Sequence, residues 1–435
     1  MDKVKLEKVF GVSREPVLSY VERPQVDGLF KASLKSDKQI IVYGSSKQGK
    51  TALVEKHVPY KDNVVVRCDP LSTTADIYKA IMRALGVNIQ VEVTDGETTS
   101  KKAIISGKLE GGVPFVASGE VKSGLEEGGE KREERKYRAI EINLSLAQDV
   151  GDLLKRQGIG KFIILENFHY LSEETQRNLA FDLRTFQEMG IRFIILGVWR
   201  EKNRLTQFNG DLLDRIVEVP VEPWEKTEFF SVIDKGELKL NIRFSPAIKE
   251  GVIESAFDSI GVVQELLKTI CYLAEIETTQ DEVIGINNVS LMVKAIQNKA
   301  VDYASRHLRS LESIAGGRKA SRAKDGLLPL YLPYYTVVAL LKFKFEDILK
   351  GIQREDLEEA IKKMHHRGKD VRPGDMSNLL HNFAQLQAEK KIVPPVFDYD
   401  QSTRTLRVVD STFYFFVKNN DMDRIVENIA NPIEE

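Results

Sequence analysis

The sequence predicts an α/β fold: a parallel sheet carrying an inserted β-hairpin, then a helical lid and a C-terminal winged-helix unit. Three observations lead there. Short apolar runs rich in β-branched residues, at 40–43, 64–66, 162–165 and 191–196, alternate with helical patterns, as in strands buried on both faces of a parallel sheet. From residue 223 the pattern turns to helices alone. Near the end, stretches 396–400 and 403–409 can pair around Gln401-Ser402 as a two-stranded wing.

The first strand leads into Gly44-Ser45-Ser46-Lys47-Gln48-Gly49-Lys50-Thr51, followed by helix-compatible residues from Ala52. This fits G-x-x-x-x-G-K-[ST] between a strand and a helix, the phosphate-binding P-loop. The two glycines let consecutive backbone N–H groups surround an anion, and the helix that follows turns its positive end to the same place. Lys50 supplies a full charge for the β- and γ-phosphates, and the Thr51 hydroxyl suits Mg²⁺. The stretch therefore predicts ATP and Mg²⁺ as ligands. A strand at 161–167 ends in Glu166-Asn167, where a P-loop ATPase keeps the carboxylate that helps hold the metal.

Composition narrows the class. At 435 residues the chain is long enough for two or three domains. A formal net charge of −2 confines any nucleic-acid surface to a local patch. Two cysteines far apart, Cys68 and Cys271, exclude a disulfide framework and read as structural thiols. No apolar run reaches membrane-spanning length and the N-terminus does not lead into a signal peptide, so a reducing cytoplasm is the expected compartment.

In chain order, 1–222 reads as the nucleotide-binding domain. Residues 20–30 form an extended piece and a short helix, a helix at 77–85 has its N-cap among Ser72–Asp76, and helices follow at 143–157 and 172–189. Residues 88–140 break the pattern with alternation punctuated by glycines and a charge run at 126–138, which predicts an inserted hairpin that mediates contacts or is partly disordered. Residues 223–315 form the helical lid, with helices at 245–257, 262–274 and 289–311. A basic, glycine-containing linker at 316–324 precedes the winged helix of 325–435, with helices at 334–343, 354–365 and 376–389 and a last one at 412–418.

This order of parts resembles AAA+ ATPases, in particular the branch of origin-recognition-type initiators, transposition helper ATPases and STAND signalling ATPases. The resemblance spans most of the chain outside 88–140. It implies that Lys50 and Thr51 are the Walker A lysine and hydroxyl, that Glu166 stands for the magnesium-organising Asp, and that Asn167 stands for the catalytic Glu. Within Asp211–Ile216 it makes Arg215 a candidate arginine finger reaching the γ-phosphate of a neighbouring subunit in a homo-oligomer; the alternative is a surface residue capping the last strand. The sensor-1 region has Gly197, with Arg200 and Asn203 nearby, and Gln264 falls where initiators carry the sensor-2 Arg. An amide at Asn167 cannot act as a general base, so the resemblance implies slow hydrolysis and a nucleotide-controlled switch. His169 and Tyr170 lie where they could reach nucleotide, with packing or capping the blander role for His169.

In a winged helix the third helix reads the major groove. Here Lys362, Lys363, His365, His366, Arg367, Lys369 and Arg372 precede it, and it offers Ser377, Asn378, His381, Asn382 and Gln385. Arg367, Lys369, Arg372, Ser377 and Asn378 are the candidate duplex-DNA contacts, against a protein-contact role for the same domain. The sequence thus leaves three readings: a switch ATPase with a separate effector, of the kind found in prokaryotic antiviral defence; a DNA-binding initiator or transposition helper; and a nucleotide-bound scaffold without turnover.

Overall fold

The computed structural model describes residues 3–13, 15–91, 102–106, 140–141, 143–144, 146–156, 158, 160–318 and 327–433. Its centre is a five-stranded parallel sheet of β1 (Gln39–Tyr43), β2 (Val64–Arg67), β3 (Ile163–Glu166), β4 (Phe193–Gly197) and β5 (Ile216–Pro220), in the order β2-β3-β4-β1-β5. Alternate residues of β1 serve opposite faces. Ile41 and Tyr43 join the core under α3 (Thr74–Ala84), α4 (Ala147–Arg156) and α5 (Glu173–Glu188). Ile40 and Val42 pack with Phe30 of α1 (Pro24–Ser33) and with Leu53 and Val54 of α2 (Lys50–His57). Burial on both faces is why the strand reads as an unbroken apolar run rather than an alternation.

The helix starts follow local capping chemistry. Thr73 and Asp76 form a capping box at α3, and Ser172 accepts the Thr175 amide at α5. Within the interrupted stretch, Asn88–Val91 pairs antiparallel with Lys102–Ser106, which pairs in turn with Ile140–Glu141. The glycine-rich remainder and the 126–138 charge run lie outside the described residues, as does most of the linker.

The lid consists of α6 (Lys226–Leu240), α7 (Pro246–Ser255), α8 (Ile260–Leu273) and the long α9 (Val289–Ala315). The N-terminal segment packs here and not on the sheet: Leu6, Val9 and Phe10 share the lid core, and the Leu6 amide donates to Glu277 O at 2.8 Å. The spacing i, i+3, i+4 gives that short stretch one apolar side. It detaches residues 3–13 from the nucleotide domain to which the sequence alone assigned them. With 27 residues, α9 is a rod about 40 Å long. Its final turns, through Leu311 and Ile314, enter the core of the C-terminal unit.

That unit contains α10 (Leu332–Lys342), α11 (Arg354–Met364), α12 (Pro373–His381), α13 (Phe383–Glu389), α14 (Ser411–Lys418) and α15 (Met422–Asn428). A small antiparallel sheet joins β6 (Ile352–Gln353), β7 (Phe397–Asp400) and β8 (Thr405–Val408), the last two forming the wing. The expected single helix over 376–389 is broken at Asn382, whose side-chain amide donates to Asn378 O at 2.8 Å. The Asn382 backbone amide donates to the same carbonyl at 3.2 Å, so main chain and side chain share Asn378 O where the helix breaks.

Gly197 is required by packing: a Cβ there would lie 1.5 Å from the indole of Trp199, which is fully buried and stacked on Tyr43. Gly197→Ala should therefore displace the indole and destabilise the protein by about 1–3 kcal/mol, as overpacking does. Thermal melting should register the loss, and a red shift of Trp199 emission, read with Trp224→Phe as background, should report the displaced ring.

Candidate functional site

The sheet's carboxyl edge converges on 44–51. Beyond Tyr43 the chain turns through Gly44 at φ 151° and Lys47 at φ 59°, and enters α2 from Gly49 at φ 85°. Gly44 is doubly constrained, since a Cβ would sit 2.7 Å from Val221. Lys50 folds back along the loop and donates from Nζ to Gly44 O at 2.9 Å and Ser45 O at 2.6 Å. Burial pulls its ammonium down to about 8, against the opposing charges of Glu222 and Glu166. A half-buried cation with a lowered pKa beside a glycine loop is poised for an anion.

Thr51 Oγ1 donates to Glu166 Oε1 at 3.2 Å, which brings the hydroxyl and carboxylate of the predicted metal pair together. Two hard oxygen donors beside an anion-binding loop are the chemistry Mg²⁺ takes. Asn167 follows at φ 61° and heads the turn Phe168–Tyr170. Asn is among the few side chains that tolerate this left-handed backbone, so the position has a conformational reason to hold an amide. Both ring nitrogens of His169 are buried without partners among the described residues, and burial, with Lys50 and Arg204 nearby, drives its pKa well down.

A cavity of about 300 Å³ opens beside the loop, lined by Gly49 through Leu53, Ala52 included, and by Tyr20, Val21, Trp224 and Ile260. The Arg23 guanidinium lies 3.8 Å over the Trp224 ring and donates to Val221 O at 2.9 Å. A partly apolar space beside a phosphate loop suits a nucleobase. Sequence reasoning did not reach Tyr20, Val21, Arg23 or Trp224 as site residues; the aromatic Trp224, shortly past the last strand, was the available signal. Gln264 lines the same cavity, tied to the N-terminal segment by the Gly11 amide at 3.2 Å and the Ser19 hydroxyl at 2.9 Å.

Other parts of the chain touch the loop itself. The Ser45 amide donates to Glu222 Oε2 at 2.6 Å, and Gln48 Nε2 donates to Glu222 Oε1 at 3.1 Å and Asp258 O at 3.0 Å. The Gly261 amide, in the first turn of α8, donates to Lys47 O at 3.0 Å. Ser46 is bound by the C-terminal unit three times over. Its amide donates to Val409 O at 2.8 Å, its hydroxyl donates to Asp410 Oδ1 at 2.8 Å, and its carbonyl accepts from Ser411 Oγ at 2.9 Å. Asp410 is fully buried. Against the cost of that burial, His307, Arg306 and the Ser46 and Thr412 hydroxyls hold its carboxyl below the usual range.

Arg215 is not near its own loop. It precedes β5 at the sheet's amino edge, about 16 Å of strand away. There it donates to Gln187 Oε1 at 2.6 Å and pairs with Glu188 at 3.0 Å. Arg200 contacts the Tyr414 hydroxyl at 3.3 Å, and Asn203 turns at φ 60° with its amide on Glu218. In the winged helix, Arg367 pairs with Asp370 at 2.7 Å and Lys362 with Glu358 at 2.6 Å, so part of the basic cluster is neutralised internally. Lys369, Arg372 and Asn378 are exposed, and Ser377 meets the His381 ring at 3.2 Å.

A parallel sheet with a glycine loop at the carboxyl end of its inner strand, a half-buried lysine and a hydroxyl–carboxylate pair defines a P-loop NTPase fold. No protein-family model and no curated protein matches the chain. Solved structures similar to it include the Walker-type ATPase PABY2304 of Pyrococcus abyssi, at 12% identity over 92% of this chain and 96% of that one, TM-score 0.48. The Aeropyrum pernix Orc1 protein in complex with DNA is also similar, at 12% identity over 98% and 96%, TM-score 0.41. So is a Thermotoga maritima RuvB variant, at 10% identity over 91% and 94%, TM-score 0.38.

The lowered pKa of Lys50 sets a pH dependence. An anion in the loop raises that pKa above its free value of about 8. The resulting gain in affinity is complete below pH 8 and is lost as pH rises through the bound-state value. Nucleotide affinity, titrated from pH 6.5 to 9.5, should stay level to about pH 8 and then fall up to about tenfold per unit. In Lys50→Met it should be weak and flat.

Proposed function

We propose that this chain is an ATP-binding, slowly hydrolysing switch, in which docking of the winged-helix unit on the P-loop defines one state and nucleotide favours the other. The observation that carries the reading is the triple attachment of Ser46 to Val409, Asp410 and Ser411. Two carboxylates, Asp410 and Glu222, rest against the loop that would receive a polyphosphate. Like unit charges about 5 Å apart repel by about 3 kcal/mol at an effective dielectric of 20, enough to shift a two-state population roughly a hundredfold. A nucleotide in the loop and the docked Asp410 therefore oppose one another, and binding is linked to undocking.

In this reading the loop amides and Lys50 hold the phosphates, and Thr51 and Glu166 hold Mg²⁺, which neutralises charge on the phosphates. Trp224, Val21 and Tyr20 receive the base. Asn167 orients water without taking its proton, which keeps turnover slow. Arg215, turned away from its own loop and partly exposed, is available to a second copy, so assembly of like subunits supplies the missing cation. A separate effector in antiviral defence would then sense the released state; that part rests on the resemblance alone.

Asp410→Asn removes the buried charge and keeps the shape, while Ser411→Ala removes one loop contact. Both should loosen docking, raise ATP affinity several-fold, and increase amide exchange in Ser411–Lys418. Unchanged exchange on adding ATP–Mg²⁺ to wild type would sink the switch. Light scattering on the same samples tests assembly. ATP should increase the mass of wild type but not of Lys50→Ala, and Arg215→Ala should assemble without releasing phosphate.

A second reading, duplex-DNA binding, draws on exposed Lys369, Arg372 and Asn378 along the entry to α12. In it, reversal of Lys369 and Arg372 to Glu lowers affinity for random duplex and reduces the salt slope by about 2. Binding indifferent to both substitutions removes the reading.

A further inference from the structure

We propose that Tyr60 is a positioning residue for the Glu166 carboxylate, fixing it for a divalent cation bound beside the nucleotide. The inference rests on the nucleotide–magnesium reading of the site. The Tyr60 hydroxyl donates to Glu166 Oε1, the same oxygen that accepts from Thr51 Oγ1 at 3.2 Å. Tyr60 opens the short turn Tyr60–Asp62 just beyond α2, and its amide donates to Glu55 Oε2 at 2.9 Å, which ties its backbone to the helix that begins with Lys50. The phenol thus bridges the far end of the P-loop helix and the end of β3.

The need for such a group follows from the length of Glu166. A Glu at the end of an apolar strand carries its carboxyl one methylene further out than an Asp, with one more rotatable bond to fix. Ordering a long side chain costs rotamer freedom. A single hydroxyl contact, from Thr51, leaves rotation about that contact. A second donor on Oε1 sets the carboxyl plane and leaves Oε2 to serve the hydrated cation. Groups that orient a metal's ligands typically account for about 10–100-fold in metal affinity.

The test is equilibrium binding of a fluorescent ATP analogue to the full chain, with Mg²⁺ titrated from an EDTA baseline. Wild type, Tyr60→Phe, Glu166→Gln and the double variant are compared, with melting curves for each. Tyr60→Phe keeps the ring, so its EDTA affinity and melting temperature should stay close to wild type. Its Mg²⁺ midpoint should rise about tenfold. In the Glu166→Gln background, adding Tyr60→Phe should leave the midpoint unchanged, because the two act through one carboxyl. An unchanged midpoint in Tyr60→Phe overturns the role, as does a shift of equal size in the Glu166→Gln background. If wild type fails to bind the analogue even in EDTA, the nucleotide reading falls together with this one. If wild type binds and responds to Mg²⁺ while Tyr60→Phe behaves identically, only the role of Tyr60 falls.

Discussion

Asp410 has no access to water, and its charge is tolerable only because Arg306, Thr412 and Ser46 converge on it. Those partners come from the lid's long helix, from the winged helix and from the P-loop. Removing one would leave a buried charge short of compensation, which is far more costly than losing a surface contact. One carboxylate therefore couples three parts of the chain. The Ser259 and Ser411 hydroxyls, 2.8 Å apart, close the same junction from the lid side.

The geometry of the loop explains why that coupling can respond to a ligand. Ser45 and Ser46 offer their amides to Glu222 and Val409, while Lys50 braces the loop from inside by bonding the Gly44 and Ser45 carbonyls. The loop is thus held in shape by internal acceptors on one side and a cation on the other. In the proposed switch an anionic ligand would strengthen the second and oppose the carboxylates at the first, linking a local change of charge to domain docking. The long α9, rooted in the lid and ending in the winged-helix core, joins those two units through one continuous helix.

Legibility differed sharply between local and remote features. The strand–loop–helix of 39–57 was readable because period, glycines and the Lys-Thr pair all lie within one short stretch, and each has a local physical reason. The wing strands and the Ser172 cap were readable for the same cause, and the cap of α3 to within Ser72–Asp76. The break at Asn382 was hidden, since apolar periodicity runs straight through it. The docking of Leu6, Val9 and Phe10 into the lid was hidden because three apolar residues do not say which core they join.

The sequence by itself determined a glycine loop at the end of a buried parallel strand and singled out Lys50, Thr51 and Glu166, which the fold gathers at that loop. Phosphate loops depend on residues adjacent in the chain, and so they leave a contiguous signature. What the tertiary structure alone decided is what surrounds that loop: Glu222 on Ser45, Asp410 on Ser46, Tyr60 on Glu166, and Arg23 over Trp224. It also decided that Arg215 faces away from its own loop. These contacts pair side chains up to 364 positions apart. Their partners are ordinary polar or aromatic residues, and only the folding of three units against one another gives them a role.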